Sequence, residues 1–258
     1  MSTTSARQAV SELQHPDSRS FDQVADLYER ARPTYPDDAV DWLADRLGIG
    51  ERSTVLDLGA GTGKLTRTLV PRTGRVIAVE PGPEMLAQLR NAVPEAEAML
   101  GAAEAIPLPD GAVDAVVCGQ SFHWFRTDEA LPEIRRVLRA TGGLGLIWNR
   151  RDPDDPVQSE ITKLLDPFVP PGRPPIEAPV AAFVERTLGE VASYAVRFDD
   201  ELDADRLVAR IASISFVAAA PEARRRELER TLRSLTAAHG GRVVFRHVTH
   251  AFVTFSVA

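Results

Sequence analysis

The sequence predicts an α/β fold in which a parallel sheet carries helices on both of its faces. Between residues 54 and 148, short apolar runs alternate with longer amphipathic segments, which is the pattern of strands joined by crossover helices. The apolar runs are nearly continuous, as is typical of strands buried on both faces. A chain of 258 residues, 44% of them hydrophobic, is long enough to bury such a core.

The elements follow in order from the N-terminal part, which is predicted to be helical. Apolar residues recur at helical spacing from Phe21 to Leu47, with a proline-containing bend at 32–36, and Gly48 is placed to end the second helix. Strands are then predicted at Thr54–Leu58, Arg75–Val79, Ala98–Leu100, Val113–Cys118 and Leu144–Trp148, and helices at Lys64–Val70, Pro83–Asn91 and about Asp128–Arg139.

The regular alternation stops at Asn149. The segment 167–179 is rich in proline, so we interpret it as a stiff excursion rather than an element. Beyond it the pattern predicts a strand at Val191–Phe198, helices at Asp203–Ser215 and Pro221–Ala237, and a last strand or bent pair of strands within Val243–Val257.

Charge and composition exclude several classes of protein. A formal net charge of −7 argues against nucleic acid as a partner. No run without Asp, Glu, Lys or Arg approaches the roughly 18 apolar residues that a membrane span needs. The first residues lack the apolar region of a signal peptide, and the single cysteine cannot form an internal disulfide. We therefore expect a cytoplasmic protein that binds no membrane.

The most informative motif is the turn after the first predicted strand, Asp57-x-Gly59-x-Gly61-x-Gly63. Glycines at a strand-to-helix turn let a ligand approach the backbone and its free N–H groups. A dinucleotide site would require G-x-G-x-x-G, but Lys64 stands where its last glycine should be, and no P-loop pattern is present. Asp57 lies at the carboxyl end of the strand and is expected to point into the crevice, where it would repel a pyrophosphate but suits an ammonium group.

A second acidic residue, Glu80, ends the second predicted strand. A carboxylate about 20 residues after a glycine turn is where ribose hydroxyls are held. An amine, a ribose and no pyrophosphate together describe S-adenosylmethionine, so we expect this molecule as the cofactor and no metal.

Four stretches of the chain carry a resemblance to a known family. The glycine motif, Glu80 with Met85-Leu86, the segment 101–111 and Val113–Val117 are similar to class I S-adenosylmethionine-dependent methyltransferases, in particular the small-molecule type 11 group. The match spans roughly residues 20–150. Residues 120–125 and 148–152 further resemble the branch with trans-aconitate methyltransferase-like enzymes. The resemblance implies a Rossmann-like, doubly wound sheet of seven strands, mostly parallel with an antiparallel last strand, and helical cap segments.

The resemblance also divides the chain. We expect one methyltransferase domain over residues 1–258, with an N-terminal helical cap at 20–48 and a cofactor-binding core at 50–150. A cap insertion with the sixth strand and further helices would occupy 150–240, and the last strand would occupy 241–258.

The residues expected to contact the cofactor follow from the same resemblance. The glycines would line the methionine part of S-adenosylmethionine, and Glu80 would hold its ribose. The residues near its adenine would be Pro81, Met85, Ala103 and Glu104. Ala102 departs from the family pattern, since many relatives have Asp there. The full set is Tyr28, Arg32, Asp57, Gly59, Ala60, Gly61, Gly63, Glu80, Pro81, Met85, Ala103, Glu104, Gln120 and Ser121.

The substrate is expected beside the end of the fourth strand. His123 is a candidate general base, because imidazole titrates near neutrality, but it could equally form a wall of the pocket. The other predicted pocket residues are Tyr35, Trp124, Trp148 and Asn149, and Trp42 is a further candidate for an aromatic wall.

Three other residues have side chains that could act in catalysis or metal binding, but each has a simpler structural interpretation. Cys118 lies within a strand and is interpreted as a small buried hydrophobe. His247 and His250 have no acidic or cysteine partner at metal-ligand spacing, so they are predicted to lie on a strand surface.

These observations predict methylation of a small molecule, with O-methylation of a carboxylate or hydroxyl as the first choice. Carbon methylation of a quinone-like acceptor stays open. An alternative of another class is a non-catalytic module that binds S-adenosylmethionine or S-adenosylhomocysteine. The sequence leaves monomer and homodimer undecided.

Overall fold

The structure is a computed structural model that describes residues 32–152, 154–170 and 180–256. Its strands form a single sheet. They are Thr54–Leu58 (β1), Arg75–Glu80 (β2), Glu97–Leu100 (β3), Val113–Gly119 (β4), Leu138–Arg151 (β5), Ala192–Asp203 (β6) and Arg242–Thr254 (β7). The sheet has seven strands in the order β3-β2-β1-β4-β5-β7-β6.

Helices connect these strands and cover the sheet. They are Asp37–Leu47 (α1), Lys64–Leu69 (α2), Pro83–Ala92 (α3), Thr127–Val137 (α4), Pro156–Leu165 (α5), Val180–Leu188 (α6), Ala204–Ala212 (α7), Ser215–Ala218 (α8) and Glu222–Ala238 (α9). Among the described residues, no helix is long and apolar enough to cross a membrane.

The direction of the strands places a crevice at one edge of the sheet. Strands β1 to β5 pair in parallel, and β7 runs antiparallel to both β5 and β6. The chain moves outward from β1 to β3 and then returns to place β4 on the other side of β1. In such sheets, ligands bind beyond the carboxyl ends of the strands at this reversal. The predicted doubly wound sheet with an antiparallel last strand is confirmed.

Two hydrophobic cores lie on opposite faces of the sheet. Leu56 belongs to the core that includes α4 and α6, whereas its neighbour Val55 belongs to the core that includes α1 and α2. Successive strand residues point to opposite faces, so a strand covered on both sides needs apolar residues throughout. This explains the nearly continuous apolar runs in the sequence.

A third core cluster lies in the C-terminal part of the chain, away from β1 to β4. It is formed by α5, α7, α8 and α9 with the outer ends of β6 and β7. Its buried residues are Ile161, Leu165, Leu202, Leu207, Ile211, Val217, Leu228, Leu232, Leu235, Val243 and Phe245.

The C-terminal elements differ most from the prediction. Helix α5 was missed, as was α6 after the proline-rich segment, of which 171–179 lie outside the described residues. The predicted helix at Asp203–Ser215 is divided into α7 and α8, and the last segment is one strand rather than a bent pair. Strand β6 is an edge strand whose residues alternate between exposed and half-buried, which weakened its apolar signal.

Strand β5 begins earlier than its apolar run. The predicted helix at Asp128–Arg139 ends at Val137, and β5 starts at Leu138. The register with β4 is irregular between Val113 and Ala115. Gly142 and Gly143 have no side chains, so this part of the strand lacks the apolar pattern by which strands are predicted. The predicted first N-terminal helix lies outside the described residues.

Candidate functional site

The turn from β1 into α2 is built from three glycines in the left-handed region. Gly59, Gly61 and Gly63 have φ angles of +70°, +59° and +87°, where other residues are strained. A Cβ on Gly59 would lie 2.7 Å from Cβ of Ser121, and one on Gly63 would lie 3.1 Å from Cγ of Leu89. Packing within the protein therefore requires glycine at these two positions.

Gly61 differs because it has open space beside it. Among the described residues, only Sδ of Met85, at 3.8 Å, lies within 4 Å of a Cβ placed on Gly61. A ligand can therefore approach the backbone here without meeting a protein side chain. This open side is the feature that fits a small cofactor at the turn.

Glu80 joins the glycine turn to the start of α3. Its Oε2 accepts a hydrogen bond from Gly61 N at 2.8 Å, and its Oε1 accepts one from Gly82 N at 2.8 Å. On the same turn, Ala60 N donates to Val79 O at 3.1 Å. A carboxylate offers about four acceptor positions, so Glu80 can also accept hydrogen bonds from ribose hydroxyls. The turn and Glu80 therefore fit the ribose and amino-acid parts of S-adenosylmethionine.

Asp57 does not point into the open crevice as we expected. Its side chain is 0% exposed and accepts a hydrogen bond from Oγ1 of Thr66 at 2.6 Å. The side chain shares the face of Val55, which α2 covers, because side chains alternate along a strand. The predicted direct contact with an ammonium group is therefore wrong for this geometry.

The buried position changes the acidity of Asp57. Desolvation raises its pKa to about 7, although hydrogen bonds from Thr66 act in the opposite direction. Its Oδ1 has no hydrogen-bond partner among the described residues. The carboxyl group thus links the end of β1 to α2 within the protein interior.

The predicted adenine residues divide into two groups. Met85 and Ala103 are 6% and 5% exposed, and Pro81 is half-buried where β2 ends. Glu104 instead uses its Oε1 to accept a hydrogen bond from Arg126 N at 2.8 Å, at the start of α4. Its side chain is buried. Glu104 therefore fixes the backbone at the start of α4, and its place beside the adenine stays a prediction.

Gln120 and Ser121 follow β4 directly and brace the neighbouring strand ends. Oγ of Ser121 donates to Leu58 O at 2.8 Å, and Nε2 of Gln120 donates to Asn149 O at 2.9 Å. Gln120 has a φ of +59°, unusual for a residue other than glycine. The two side chains thus hold the carboxyl ends of β1, β4 and β5 together beside the glycine turn.

An aromatic group formed by His123, Trp124 and Trp148 lies next to this point. The His123 ring is exposed, and its centroid is 5.0 Å from that of Trp124 and 6.4 Å from that of Trp148. Trp148 is only 2% exposed, and its Nε1 donates to Nδ1 of His123 at 3.3 Å. The structure therefore brings together three of the five predicted pocket residues.

The other two predicted pocket residues have structural contacts. Asn149 donates from Nδ2 to Thr34 O at 3.0 Å, and its Oδ1 accepts from Thr249 at 2.7 Å. Tyr35 is 6% exposed and belongs to the core that includes α1. A Cβ on Gly119 would lie 2.7 Å from the Tyr35 hydroxyl oxygen. Both residues fix the segment before α1 against the sheet.

The N-terminal region contains three further candidates from the sequence, Tyr28, Arg32 and Trp42. Tyr28 lies outside the described residues. Arg32 donates from Nε to Oγ of Ser213 at 3.0 Å, at the end of α7. The Trp42 ring stacks on that of Tyr194, with centroids 5.6 Å apart. Arg32 thus contacts the end of α7 and Trp42 contacts β6 rather than the aromatic group, and the contact of Arg32 with the cofactor stays a prediction.

His247 was wrongly expected on a strand surface. It is 3% exposed, stacks on the Phe198 ring at 4.7 Å between centroids, and lies 3.3 Å from a guanidinium nitrogen of Arg210. Burial and then the charge of Arg210 lower its pKa to about 3. Arg210 is buried beside Asp200, at 2.8 Å. The period of two from Val243 through His247 was the signal that could have identified the inward position.

The interpretation of Cys118 agrees with the structure, since the residue is buried and burial raises the pKa of its thiol. His250 is half-buried, and desolvation followed by the charge of Arg150 lowers its pKa. Within the described ranges, no group of three His, Cys, Asp or Glu side chains could hold a metal ion.

Comparison with known proteins gives matches over most of the chain. A family model described as a methyltransferase domain matches residues 56–146. An uncharacterized methyltransferase of Mycobacterium tuberculosis is 42% identical over 223 residues, which cover 86% of this chain and 87% of the relative. A solved structure from Anaeromyxobacter dehalogenans, whose name assigns it to the type II methyltransferases, has a TM-score of 0.64 at 26% identity and covers 86% of this chain and 96% of that chain.

Two shorter matches carry names that specify a reaction. Trans-aconitate 2-methyltransferase of Azoarcus sp. is 36% identical over 144 residues, or 54% of this chain and 53% of the relative. Malonyl-[acyl-carrier protein] O-methyltransferase of Methylococcus capsulatus is 42% identical over 96 residues, or 35% of each chain.

Proposed function

This chain belongs to the class I S-adenosylmethionine-dependent methyltransferases, and from that premise we propose that it methylates an oxygen atom of a small acid or hydroxyl compound. The observation that carries the proposal is the open side of Gly61 on a turn held by Glu80. The aromatic group around His123 lies beside this turn, at the end of β4, and provides a surface for the acceptor.

The protein would promote methyl transfer mainly by positioning the cofactor and the acceptor. When bound, S-adenosylmethionine supplies an electrophilic methyl group on a sulfonium sulfur, so alignment and exclusion of water are sufficient catalytic devices. Glu80 would accept hydrogen bonds from the ribose hydroxyls while it keeps the backbone of Gly61 in place. His123 and Trp124 would border the acceptor.

The choice of an acid acceptor rests on resemblance and on the chemistry of carboxylates. Residues 120–125 and 148–152 resemble the trans-aconitate branch, and two partial relatives are named for trans-aconitate methylation and for malonyl-[acyl-carrier protein] O-methylation. A carboxylate acceptor also needs no general base, since its reference pKa near 4 leaves it ionised at neutral pH.

Calorimetry tests cofactor binding. S-adenosylhomocysteine should bind the full chain and NAD should not. Replacing Glu80 with Gln should weaken binding of S-adenosylhomocysteine at least about tenfold, because a charge-assisted hydrogen bond contributes roughly 1.5–3 kcal/mol. Glu84→Gln, an exposed position on α3, is the matched control and should bind normally. Absence of S-adenosylhomocysteine binding to the wild type would refute the cofactor assignment.

Methyl transfer tests the acceptor. The protein is given S-adenosylmethionine with a labelled methyl group together with small di- and tricarboxylic acids, phenols or quinones. Label in an alkali-labile ester of an acid is the expected result, and label in a phenol ether would support the hydroxyl arm. An alkali-stable carbon–methyl product would instead establish C-methylation. Tight binding without transfer to any acceptor would favour the binding module.

A further inference from the structure

The contact between Trp148 and His123 determines where the histidine carries its proton. Trp148 is 2% exposed, so its indole N–H must find an acceptor within the protein. Nδ1 of His123 lies 3.3 Å from Nε1 of Trp148. An indole nitrogen only donates, and therefore Nδ1 must present its lone pair.

A neutral imidazole with a lone pair on Nδ1 carries its hydrogen on Nε2. The Trp148 contact involves the Nδ1 side of the ring, and the histidine itself is exposed at the carboxyl end of β4. Contacts with Trp124 and Trp148, at centroid distances of 5.0 and 6.4 Å, hold the orientation of the ring.

We propose that Trp148 is a positioning residue that fixes the Nε2–H form of His123, and that His123 donates a hydrogen bond to an ionised carboxylate of the methyl acceptor. This inference rests on the proposed methyl transfer and narrows its acceptor to an acid. It replaces the role of general base that the sequence left open for His123.

The chemistry of the two roles is mutually exclusive. A general base would need its lone pair on Nε2, and the hydrogen would then lie on Nδ1. Two donors, Nδ1–H of His123 and the indole N–H of Trp148, would then face each other with no acceptor between them. A phenol with a pKa near 10 needs such a base, whereas a carboxylate does not. The acceptor carboxylate would become an ester as the methyl carbon exchanges its bond to sulfur for one to oxygen. The electron pair of the old bond stays on sulfur, and no proton is released.

Nitrogen NMR on the full chain with labelled histidine tests the pairing without any methyl transfer. Signals of His123 are assigned by their loss in His123→Gln. The wild type should show only the Nε2–H form near neutral pH, and the indole N–H of Trp148 should exchange slowly with solvent. Trp148→Phe should allow a measurable fraction of the Nδ1–H form. A wild-type ring with hydrogen on Nδ1 would overturn the pairing.

Kinetics with an acid acceptor test the donor role. His123→Gln keeps an N–H donor but has no basic group, so it should retain kcat/KM within about fivefold, whereas His123→Ala should lose about 10- to 100-fold. The wild-type profile should be flat across pH 6–9. The donor role would be overturned if wild-type activity rose with pH and if His123→Gln lost as much activity as His123→Ala.

The two experiments fail separately. If neither acids nor hydroxyl compounds are methylated while the Nε2–H form is observed, the proposed function and the donor role are refuted but the Trp148–His123 pairing stands. If only hydroxyl compounds are methylated, the proposed function stands and the donor role is refuted. If acids are methylated and Nδ1 carries the hydrogen, the proposed function stands and the inference is refuted.

Discussion

At the residue scale, two glycines of the turn are needed for different reasons. Gly59 has a neighbour at 2.7 Å from a would-be Cβ, so replacement there would disturb Ser121. Gly61 has room for a methyl group but has a φ of +59°, and its open side is where a ligand would lie. A side chain at Gly61 would therefore both strain the backbone and take up ligand space.

We predict that Gly61→Ala lowers the free energy of unfolding by about 1–2 kcal/mol through left-handed strain, and also weakens S-adenosylhomocysteine binding at least about tenfold. Gly111 is a matched control, because its φ is +61° and a Cβ there would meet nothing within 4 Å. Gly111→Ala should lose similar stability and keep full affinity. Denaturant unfolding and calorimetry measure the two effects, and equal affinity of both variants would contradict the assigned ligand position.

At the element scale, Arg136 clamps α4 to the loop that precedes β4. Its guanidinium donates to Glu133 at 2.7 Å, to Leu108 O at 2.8 Å and to Ile106 O at 3.0 Å. Glu133 in turn accepts from Ile106 N at 2.9 Å. The hydrogen bonds that Arg136 donates to Glu133 raise the pKa of Arg136 and lower the pKa of Glu133. The clamp holds the loop that follows Ala103, one of the predicted adenine contacts.

We predict that Arg136→Lys lowers the free energy of unfolding by about 2 kcal/mol and speeds amide exchange at Ile106. A lysine ammonium cannot reproduce the planar fork that reaches two carbonyls and a carboxylate together. Arg135→Lys, an exposed change one residue away on the same helix, should leave both measurements unchanged. Unaltered exchange at Ile106 in Arg136→Lys would show that the clamp does not hold the loop.

At the scale of the whole molecule, the third core cluster gives the C-terminal part its own apolar interior. This supports the predicted division between a cofactor-binding part at 50–150 and a cap insertion at 150–240, which stays a prediction. Next to the cluster lie His247 and Arg210, both buried, and Arg210 forms an ion pair with the half-buried Asp200. Because burial lowers the pKa of His247, we expect this part of the molecule to respond to acid.

We predict that His247 contributes to acid destabilisation of the whole protein. Its pKa is about 3 in the folded chain against an ordinary 6.5, so the unfolded chain binds a proton that the folded chain excludes. Stability is therefore lost as the pH falls from 6.5 toward 3. Between pH 6.5 and 4.5, His247→Gln should lose about 2 kcal/mol less than the wild type.

His239→Gln provides the control for this measurement, since His239 is exposed at the end of α9. Its unfolding free energy should follow the wild-type pH dependence. A wild-type slope retained in His247→Gln would mean that other groups cause the acid sensitivity.

The sequence by itself determined the cofactor half of this protein. Strand β1 was predicted at Thr54–Leu58 and lies there, because a continuous apolar run bounded by turn residues has a local signal. The three glycines and Glu80 were predicted to form one site because a strand-to-helix turn with this chemistry is encoded within about 25 residues, and the structure joins Gly61 to Glu80.

The tertiary structure alone decided where side chains point and which of them meet. Asp57 turns inward because α2 covers its face, and Glu104 is drawn to the start of α4. His247 is buried because α7 brings Arg210 onto β7, and the proton position of His123 depends on Trp148, 25 residues away. Such contacts join distant segments, so no local pattern of residues can encode them.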